Sequence, residues 1–540
     1  MAVPTVQQPP DTYLLWTKFK FPDPSLGPVT AFAVPTPIYR YIQNGYALLS
    51  TIMVVNLWAI VMVFGIYMQL TTTKTASRVN GMAMSLWNTK DAPRQSAIAT
   101  LLYVRKKWNK WWYYPFISIL AGAWVASLAA GIFLPSRIFL GNAAPVNPLS
   151  IYVPTVSSLE LSIAETFSKY ALEGGGYMRA AAAALVASDE IRAKVMVSQP
   201  AVEGTWNNEK RSGIVNETIQ RIDYGYNITG TDLGLQHIPQ LILTVTGSCA
   251  TDYTWLNMSR STSGQINQVV YNEDVYNCPW LLKEEIVANS INSPGPSATF
   301  CVQDPDTATN KGNVSWGVVI SSVDQVSIAT GQDPWYMTSS SLDERNGNLT
   351  RVLPGRPALS CWQDDLWSYK GESTDVTNLQ SILPPNTISD ATADILAHNL
   401  GGPVVESLGG HIGTAALQSY RGTVNRLFNA GESSMYSDLS ALILGAYIAT
   451  INNLADTALH RDHQSINTPD IRNLAREKDD DSKTRPDVGQ FIVFSDQVAS
   501  LSLTLVILIP FLTLASWLLM QALLAFTPLK LTKAMEPTEL

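Results

Sequence analysis

The chain contains few of the residues and none of the short motifs on which common enzyme classes depend. Its 540 residues include only five histidines and four cysteines. The patterns G-x-S-x-G, H-E-x-x-H, Walker A and G-x-G-x-x-G, which mark hydrolases, zinc proteases, P-loop nucleotidases and dinucleotide enzymes, do not occur. These absences argue against those classes, and the sequence predicts no catalytic residue, no metal ligand and no cofactor.

Charged side chains are missing from three long apolar windows, at residues 47–70, 116–135 and 499–526. A membrane-spanning helix needs about 20 apolar residues, because each one rises about 1.5 Å through the hydrocarbon core. Buried helices of soluble domains are usually shorter and carry a polar face. We therefore predict three transmembrane helices, with the lipid bilayer as their partner and a kink at Pro510 in the third.

A cleavable signal peptide is also missing, so the first helix would act as its own insertion signal. The loop at 71–115 has a net charge of +7, whereas residues 136–498 have a net charge of −16. Basic residues in short loops remain in the cytoplasm. We predict an extracytoplasmic N-terminal segment (1–46) and a cytoplasmic tail (527–540). The loop at 71–115 would be cytoplasmic and the domain at 136–498 extracytoplasmic, in the plasma membrane or another membrane of the secretory pathway.

A basic and aromatic run lies directly before the second window. Aromatic rings prefer the headgroup layer, and cations prefer the anionic cytoplasmic leaflet. Such a run could also stack on nucleic acid, but its position beside an apolar window favours the membrane, and we predict no nucleic-acid partner. The predicted interface anchors are Lys106, Lys107, Trp108, Lys110, Trp111 and Trp112.

All four cysteines lie on the side predicted to be extracytoplasmic: Cys249, Cys278, Cys301 and Cys361. An even number confined to one side is typical of disulfides in an oxidising compartment. We predict two disulfides, in one of three pairings. Five N-x-[ST] sequons in the same region predict a glycosylated head, and they are Asn216, Asn227, Asn257, Asn313 and Asn348.

The segment between the second and third windows divides into three parts by composition. Residues 157–197 have helical apolar spacing, residues 205–385 contain short β-branched runs between turn residues, and residues 388–475 are helical again. The predicted fold is thus a membrane protein with an α+β extracytoplasmic domain, in which a helical stalk carries a β-rich, disulfide-bonded head. The apolar run at 439–451 is short for a span; we interpret it as a packed stalk helix, with a fourth span as the alternative.

One histidine pair could bind a metal, and one aspartate pair could act in catalysis. His460 and His463 could share a helix face with Asp456 and bind a divalent metal, although a solvated helix end is the simpler interpretation. Asp364 and Asp365 could act as paired carboxylates, as in glycoside hydrolysis. Adjacent residues of a strand point to opposite faces, however, so we interpret this pair as solvated acids in a turn.

The β-rich region contains seven tryptophans, and the chain ends in the sequence PTEL. Exposed indole rings could stack on sugars, but we interpret the rings as core. The C-terminal peptide could bind a strand-adding domain, although such short matches are common by chance. The tryptophans are Trp206, Trp255, Trp280, Trp316, Trp335, Trp362 and Trp367.

Three functions remain open from the sequence. The favoured one is a non-enzymatic surface protein that binds, senses or has a structural role outside the cell, with an unidentified ligand or a cell-wall or matrix glycan as its partner. The first alternative is a glycan-directed ectoenzyme that uses carboxylates. The second is a transporter or channel subunit, which the lack of ionisable residues in the three windows disfavours.

Overall fold

The computed structural model describes most of the chain, in two compact units. One unit comprises Met1–Leu14, Pro22–Pro28 and Pro145–Phe494, and the other comprises Leu15–Phe21, Val29–Ala144 and Ser495–Leu540. The described ranges, with short strands and single positions between them, are 7–72, 136–154, 175–206, 217–253, 295–303, 313–323, 325–339, 349–353, 355–412, 417–424, 427–459, 471–473 and 486–526.

The strands are numbered in chain order: β1 (Lys18–Asp23), β2 (Gly27–Pro35), β3 (Phe139–Gly141), β4 (Ala143–Pro145), β5 (Tyr152–Pro154), β6 (Val195–Val197), β7 (Ala201–Trp206), β8 (Glu217–Thr229), β9 (Ile242–Asp252), β10 (Leu256–Asn257), β11 (Val270–Tyr271), β12 (Tyr276–Asn277), β13 (Ile286–Val287), β14 (Ser297–Gln303), β15 (Asn313–Ser321), β16 (Val326–Ser327), β17 (Thr350–Arg351), β18 (Ala358–Tyr369), β19 (Glu372–Thr374), β20 (Ile471–Asn473), β21 (Ile492–Phe494) and β22 (Val498–Ser502).

The helices are α1 (Thr36–Thr72), α2 (175–185), α3 (Asp189–Arg192), α4 (Asp390–Leu400), α5 (Val404–Ile412), α6 (Gln418–Arg421), α7 (Met435–Thr457) and α8 (Leu503–Phe526). Short 3-10 helices occur at Pro148–Ser150, Val376–Ser381 and Pro486–Gly489.

The smaller unit consists of a four-stranded sheet and two long apolar helices. The strand order is β1-β2-β22-β3. Strands β2 and β22 lead directly into α1 and α8, and side chains from both strands and from α8 share one apolar core. Its fully buried members are Val34, Ile138, Ala499, Leu501 and Ile509.

Helices α1 and α8 run parallel to each other. The hydroxyl of Tyr46 donates to the carbonyl oxygen of Val506 at 2.7 Å, and Asn56 Nδ2 donates to Ser516 Oγ at 3.4 Å. Both contacts join residues 460 positions apart. Because the separation is constant while both residue numbers increase, the two helices begin at the same end of the pair.

The larger unit is built on a nine-stranded antiparallel sheet. Its path is β12-β14-β15-β18-β9-β8-β6, with β19 also paired to β18 and β7 also paired to β8. We call the face covered by helices the inner face and the opposite one the outer face. On the inner face, Tyr226 packs against Tyr447 of α7 with ring centroids 5.6 Å apart. Gly409 of α5 lies so close to Phe300 that a Cβ there would be 2.4 Å from the ring.

Helix α7 is a buried helix of this unit. Ser434 caps it in a capping box with Ser437, and 78% of its apolar window is buried, compared with 17% for α8. Helices α5 and α7 therefore pack on the sheet, so these two helices do not form a stalk separate from it. A sheet needs a cover for its apolar face, and the apolar run at 439–451 supplies that cover.

Within the described residues, three helices are long and apolar enough to cross a membrane: Thr36–Val63, Met435–Thr457 and Leu503–Ala525. The first predicted window, 47–70, lies inside α1, which begins earlier, at Thr36. The third window, 499–526, includes four residues of β22, which are uncharged because that strand is buried. The second window, 116–135, lies outside the described residues apart from single positions.

The secondary structure of the predicted helical segments is more mixed than the sequence indicated. Within 157–197 the described residues form α2 and α3 and then strand β6, so the sheet begins before residue 205. The segment 388–475 contains α4 to α7 but ends in strand β20. Three-residue strands are too short to leave a periodic pattern in the sequence.

Candidate functional site

Asp364 and Asp365 lie in the middle of β18, the central strand of the large sheet. The register with β9 pairs every residue from Ala358 to Ser368. The two carboxylates point to opposite faces, as strand geometry requires. The interpretation of this pair as solvated acids in a turn is therefore wrong: the polar residues indicated a turn, but pairing on both sides makes the segment a strand.

Asp365 belongs to a chain of hydrogen bonds on the inner face. Gln363 Nε2 donates to both carboxylate oxygens of Asp365, at 2.9 and 3.1 Å. The hydroxyl of Tyr224 donates to Gln363 Oε1 at 2.9 Å, and the indole nitrogen of Trp316 donates to Tyr224 at 3.3 Å. Tyr224, Trp316 and Gln363 are buried. A connected network of this kind fixes one arrangement of β8, β15 and β18.

Burial raises the pKa of Asp365 to about 7, against the opposing effect of the hydrogen bond from Gln363 and with a smaller contribution from the charge of Asp364. Desolvation disfavours the charged form of a carboxyl group. On the same inner face the buried ring of Tyr226 packs against Tyr447, so Asp365 lies on the side of the sheet that carries the aromatic packing.

Two further carboxylates, the partly buried Asp333 and the completely buried Asp438, lie at the beginning of α7. Asp333 Oδ2 accepts from the backbone nitrogen of Met435 at 3.0 Å. Asp438 Oδ2 accepts from the hydroxyl of Tyr336 at 2.5 Å, and its Oδ1 accepts from the backbone nitrogen of Ser419 at 2.9 Å. Desolvation raises the pKa of Asp333 to about 6. Carboxylates at a helix N-terminus are stabilised by its free amides and dipole, so this pair has a structural role.

Asp456, near the end of α7, is paired with a cation. Arg179 of α2 contacts it at 2.7 Å, and Gly176 lies so close that a Cβ there would be 2.7 Å from Asp456 Oδ2. The sequence grouped Asp456 with His460 and His463, both of which lie outside the described residues. Among the described residues, no group of three or more His, Cys, Asp or Glu could hold a metal ion.

The outer face of the sheet presents an exposed indole among polar side chains. Trp362 of β18 is 38% exposed. The register places Ser248 of β9 and Ser315 of β15 on either side of it, and Asp223 of β8 beyond Ser248. Because alternate residues of a strand share a face, these side chains form one row across four strands.

Charged groups flank this row on both sides. Arg221 Nε donates to Asp223 Oδ1 and to Ser248 Oγ, both at 2.8 Å, and its Nη1 contacts Glu203 Oε1 at 3.0 Å. Hydrogen bonds from Ser248 and from Arg221 lower the pKa of Asp223. Asp364 lies two residues along β18 on the same face. The outer face thus combines one indole, one guanidinium, hydroxyls and several carboxylates. We call this set the Trp362 face, and its members are Trp362, Arg221, Ser248, Ser315, Asp223, Asp364 and Glu203.

An open cavity of about 500 Å³ lies where the chain enters α4. Its lining includes Leu383, Pro384, Pro385 and Ile388, and its single carboxylate, Asp390, accepts from Gln380 at 2.8 Å. No histidine or cysteine lines it. This cavity therefore does not present an acid–base pair.

A disulfide joins the two central strands of the sheet. Cys249 of β9 and Cys361 of β18 are direct register partners, with Cα atoms 4.1 Å apart. Cys301 of β14 is also disulfide-bonded, and Cys278 lies outside the described residues. The sequence left three pairings open, and the β9–β18 register is what brings Cys249 and Cys361 together.

The sequons and anchors are described only in part. Asn227 lies exposed on the outer face of β8. Asn257 and Asn313 lie in β10 and β15, whose side chains at these positions are not described. Asn216, Asn348, the PTEL end and the anchors between Lys106 and Trp112 lie outside the described residues.

The tryptophans divide between the core and the surface. Trp316, Trp335 and Trp367 are completely buried, whereas Trp362 is partly exposed. Of the other three, Trp255 and Trp280 lie outside the described residues, and the side chain of Trp206 is not described. One signal for this division was present in the sequence: Trp362 and Trp367 are an odd number of residues apart, so in one strand they must face opposite sides.

In the part of the chain that it describes, the structure shows a mixed α/β protein with three helices long and apolar enough to span a membrane, a β-rich region and a disulfide. Residues 175–493 match the model of a family described as a domain of unknown function (DUF8406). This match covers more than half of the chain, so the chain belongs to that family. No curated protein and no solved structure matches it.

Proposed function

We propose that the chain is a membrane-anchored, non-enzymatic binding protein that displays its DUF8406 region outside the cytoplasm. In this proposal α1, a second span at 116–135, and α8 cross the bilayer. The observation that carries the topology is the parallel arrangement of α1 and α8.

When two membrane-spanning helices run in the same direction, the chain that connects them must cross the bilayer an odd number of times. If α1 and α8 both cross the bilayer, they begin on the same side, since they run in the same direction. Phe139 of β3 pairs with Leu501 of β22, directly before α8. The chain leaves α1 at the end where that helix finishes, but by residue 139 it lies beside β22, at the end where α1 and α8 begin. The window at 116–135 is an uncharged stretch long enough for that return.

The same reasoning supports α7 as a core helix. Strands β3 and β22 are neighbours, so the chain between them starts and finishes at one side and crosses an even number of times. A single crossing by Met435–Thr457 would leave the chain on the wrong side. The burial of 78% of its apolar window within the protein supports the same conclusion.

The charge of the loop and the disulfide both bear on which side of the membrane residues 136–498 occupy. The loop at 71–115, at the far end of α1, has a net charge of +7, which favours the cytoplasm. The Cys249–Cys361 disulfide is suited to an oxidising compartment. Both observations favour placing residues 136–498 outside the cytoplasm.

The positions of the carboxylates favour binding over catalysis. A glycan-directed ectoenzyme needs one carboxyl group with a raised pKa beside a second carboxylate on the same side of the substrate. Asp365 has the raised pKa but lies on the inner face. Asp223 lies on the outer face, where hydrogen bonds lower its pKa. The carboxyl group with the raised pKa and the second carboxylate thus lie on opposite sides of one sheet, and not on the same side of a substrate.

Cysteine labelling on intact cells tests the proposal. A membrane-impermeant maleimide should modify Thr5→Cys and Val186→Cys, and Val186 is 84% exposed in the structure. Ser85→Cys and Met535→Cys should react only after the cells are permeabilised, and the unmodified chain is the control for background. Labelling of Met535→Cys in intact cells, or protection of Val186→Cys, would show that the topology is wrong.

A further inference from the structure

The Trp362 face has an exposed indole surrounded by hydroxyl and charged side chains. A single exposed apolar residue needs no explanation, but the surroundings of this indole are specific. Trp316, Trp335 and Trp367 are 0% exposed, whereas Trp362 is 38% exposed. It lies in the central strand, with hydroxyl and charged side chains on the neighbouring strands.

The dimensions of this face suit a small flat ligand. Neighbouring strands lie about 4.8 Å apart, so Asp223 and Trp362, two strands apart, are roughly 10 Å from each other. Arg221 holds Asp223 and Ser248 through bonds of 2.8 Å. The polar groups are therefore held in place before a ligand arrives, which lowers the entropy cost of binding.

The chemistry of this face indicates one class of ligand. A hexopyranose ring has an apolar face of C–H groups and an edge of hydroxyls. An exposed indole can cover the former, while carboxylate, guanidinium and serine groups can bond the latter. The carboxylates of Asp223, Asp364 and Glu203 outnumber the guanidinium of Arg221. This surplus of negative charge repels anionic glycans and nucleic acid.

A protein partner fits this face less well. Among the described residues of the outer face, the other exposed large apolar side chains are Met196 of β6, at 63%, Leu366, at 41%, and Ile242, at 37%. They lie on three different strands. A standard protein interface buries about 800 Å² on each partner around an apolar centre. The sparse apolar area among charged groups favours a ligand that is itself mostly polar.

We propose that the Trp362 face binds an uncharged hexopyranose glycan, with the indole of Trp362 stacked on one sugar ring and Asp223, Arg221 and Asp364 bonded to its hydroxyls. This inference names the ligand class for the proposed function, and it rests on that function for the face to be displayed where glycans occur. The binding itself is a property of the purified chain.

The test is glycan binding by the purified full-length chain in a detergent without a sugar headgroup, because a maltoside would compete. Attached N-glycans are first removed enzymatically. The probes are soluble β-1,3-glucan, β-1,4-linked N-acetylglucosamine oligomers and mannan, with polygalacturonate as the anionic control. The unmodified chain should bind at least one uncharged probe and not the anionic one.

Substitutions then locate the site. Trp362→Ala should lower the affinity at least about 10-fold, the effect expected of a central aromatic contact, and Trp362→Phe should retain most of it. Trp16→Ala is the matched control, because Trp16 is 53% exposed elsewhere in the chain and its loss should change nothing. Asp364→Asn should weaken binding a few-fold, and the thermal unfolding curve of each variant shows whether it is folded.

Two results would overturn the inference: no uncharged probe binds the unmodified chain, or a folded Trp362→Ala variant binds as well as the unmodified chain. Either result with Val186→Cys still labelled from outside leaves the proposed topology standing. Protection of Val186→Cys would instead show that the proposed display is wrong, whatever the purified chain binds.

Discussion

The hydroxyl of Tyr224 on β8 donates to Oε1 of Gln363 on β18 at 2.9 Å, across the strand that separates them. The residue opposite both of them on β9 is Gly247. A Cβ at that position would be 2.3 Å from Cζ of Tyr224. The buried network around Asp365 therefore depends on the absence of a side chain at residue 247.

Replacing this glycine should destabilise the protein. In Gly247→Ala the ring of Tyr224 must move and its hydrogen bond to Gln363 is lost, so we expect a loss of about 2–4 kcal/mol in the free energy of unfolding. Denaturant unfolding followed by tryptophan fluorescence measures it. Gly204→Ala in β7 is the control, because a Cβ there meets nothing within 4 Å. Equal stability of the two variants would show that Tyr224 has room to move.

The disulfide should contribute strongly to the stability of the sheet. Cys249 and Cys361 are 112 residues apart in the sequence, and closing a loop of that length restricts the unfolded chain by about 4–5 kcal/mol. The double variant Cys249→Ala, Cys361→Ala should therefore unfold at a clearly lower temperature. Peptide mapping without reduction should recover Cys249 joined to Cys361. An unchanged unfolding temperature in the double variant would contradict the prediction.

The protein should be more stable at mildly acidic pH than at neutral pH. Burial raises the pKa of Asp365 to about 7, so the folded state holds this proton more firmly than the unfolded chain, in which a carboxyl titrates near 4. The stability this proton provides is complete below about pH 4 and is lost as the pH rises towards 7, by about 1.4 kcal/mol per pH unit. Asp333, with a pKa raised to about 6, acts in the same direction.

Thermal unfolding between pH 4 and pH 8 measures this dependence. Asp365→Asn keeps the shape of the side chain without a titrating group, so its unfolding temperature should fall less steeply between pH 4 and pH 7. Asp364→Asn on the outer face is the matched control and should keep most of the dependence, because the charge of Asp364 contributes less than burial to the raised pKa of Asp365. If Asp365→Asn shows the full dependence, Asp365 is not the titrating group.

Asn227 should carry a glycan if the DUF8406 region enters the secretory pathway. Its side chain is exposed on the outer face of β8, followed by Ile228 and Thr229 in a sequon. Treatment with an endoglycosidase should therefore increase the electrophoretic mobility of the chain. Loss of the sequon in Asn227→Gln should remove one increment of that shift. Five intact sequons without any shift in a glycosylating host would argue against an extracytoplasmic location.

The long apolar helices could be predicted from composition. The apolar windows at 47–70 and 499–526 coincide with most of α1 and α8, because a helix long and apolar enough to span a membrane leaves an uncharged stretch of about 20 residues or more in the sequence. Their boundaries could not be predicted in the same way. Strand β22 is as uncharged as a span because it is buried, and the pattern does not distinguish these two environments.

Composition and local pattern are enough to predict the long apolar helices, the strand-forming character of much of the region between residues 205 and 385, and the supply of cysteines and carboxylates. The folded structure is needed to show that α1 and α8 run parallel, that α7 covers a sheet, and that Cys249 meets Cys361. It is also needed to show that Asp365 lies on the inner face with a raised pKa while Asp364 and Trp362 lie on the outer face. Local patterns follow from the preferences of consecutive residues, whereas burial, register and pKa depend on residues brought together from distant parts of the chain.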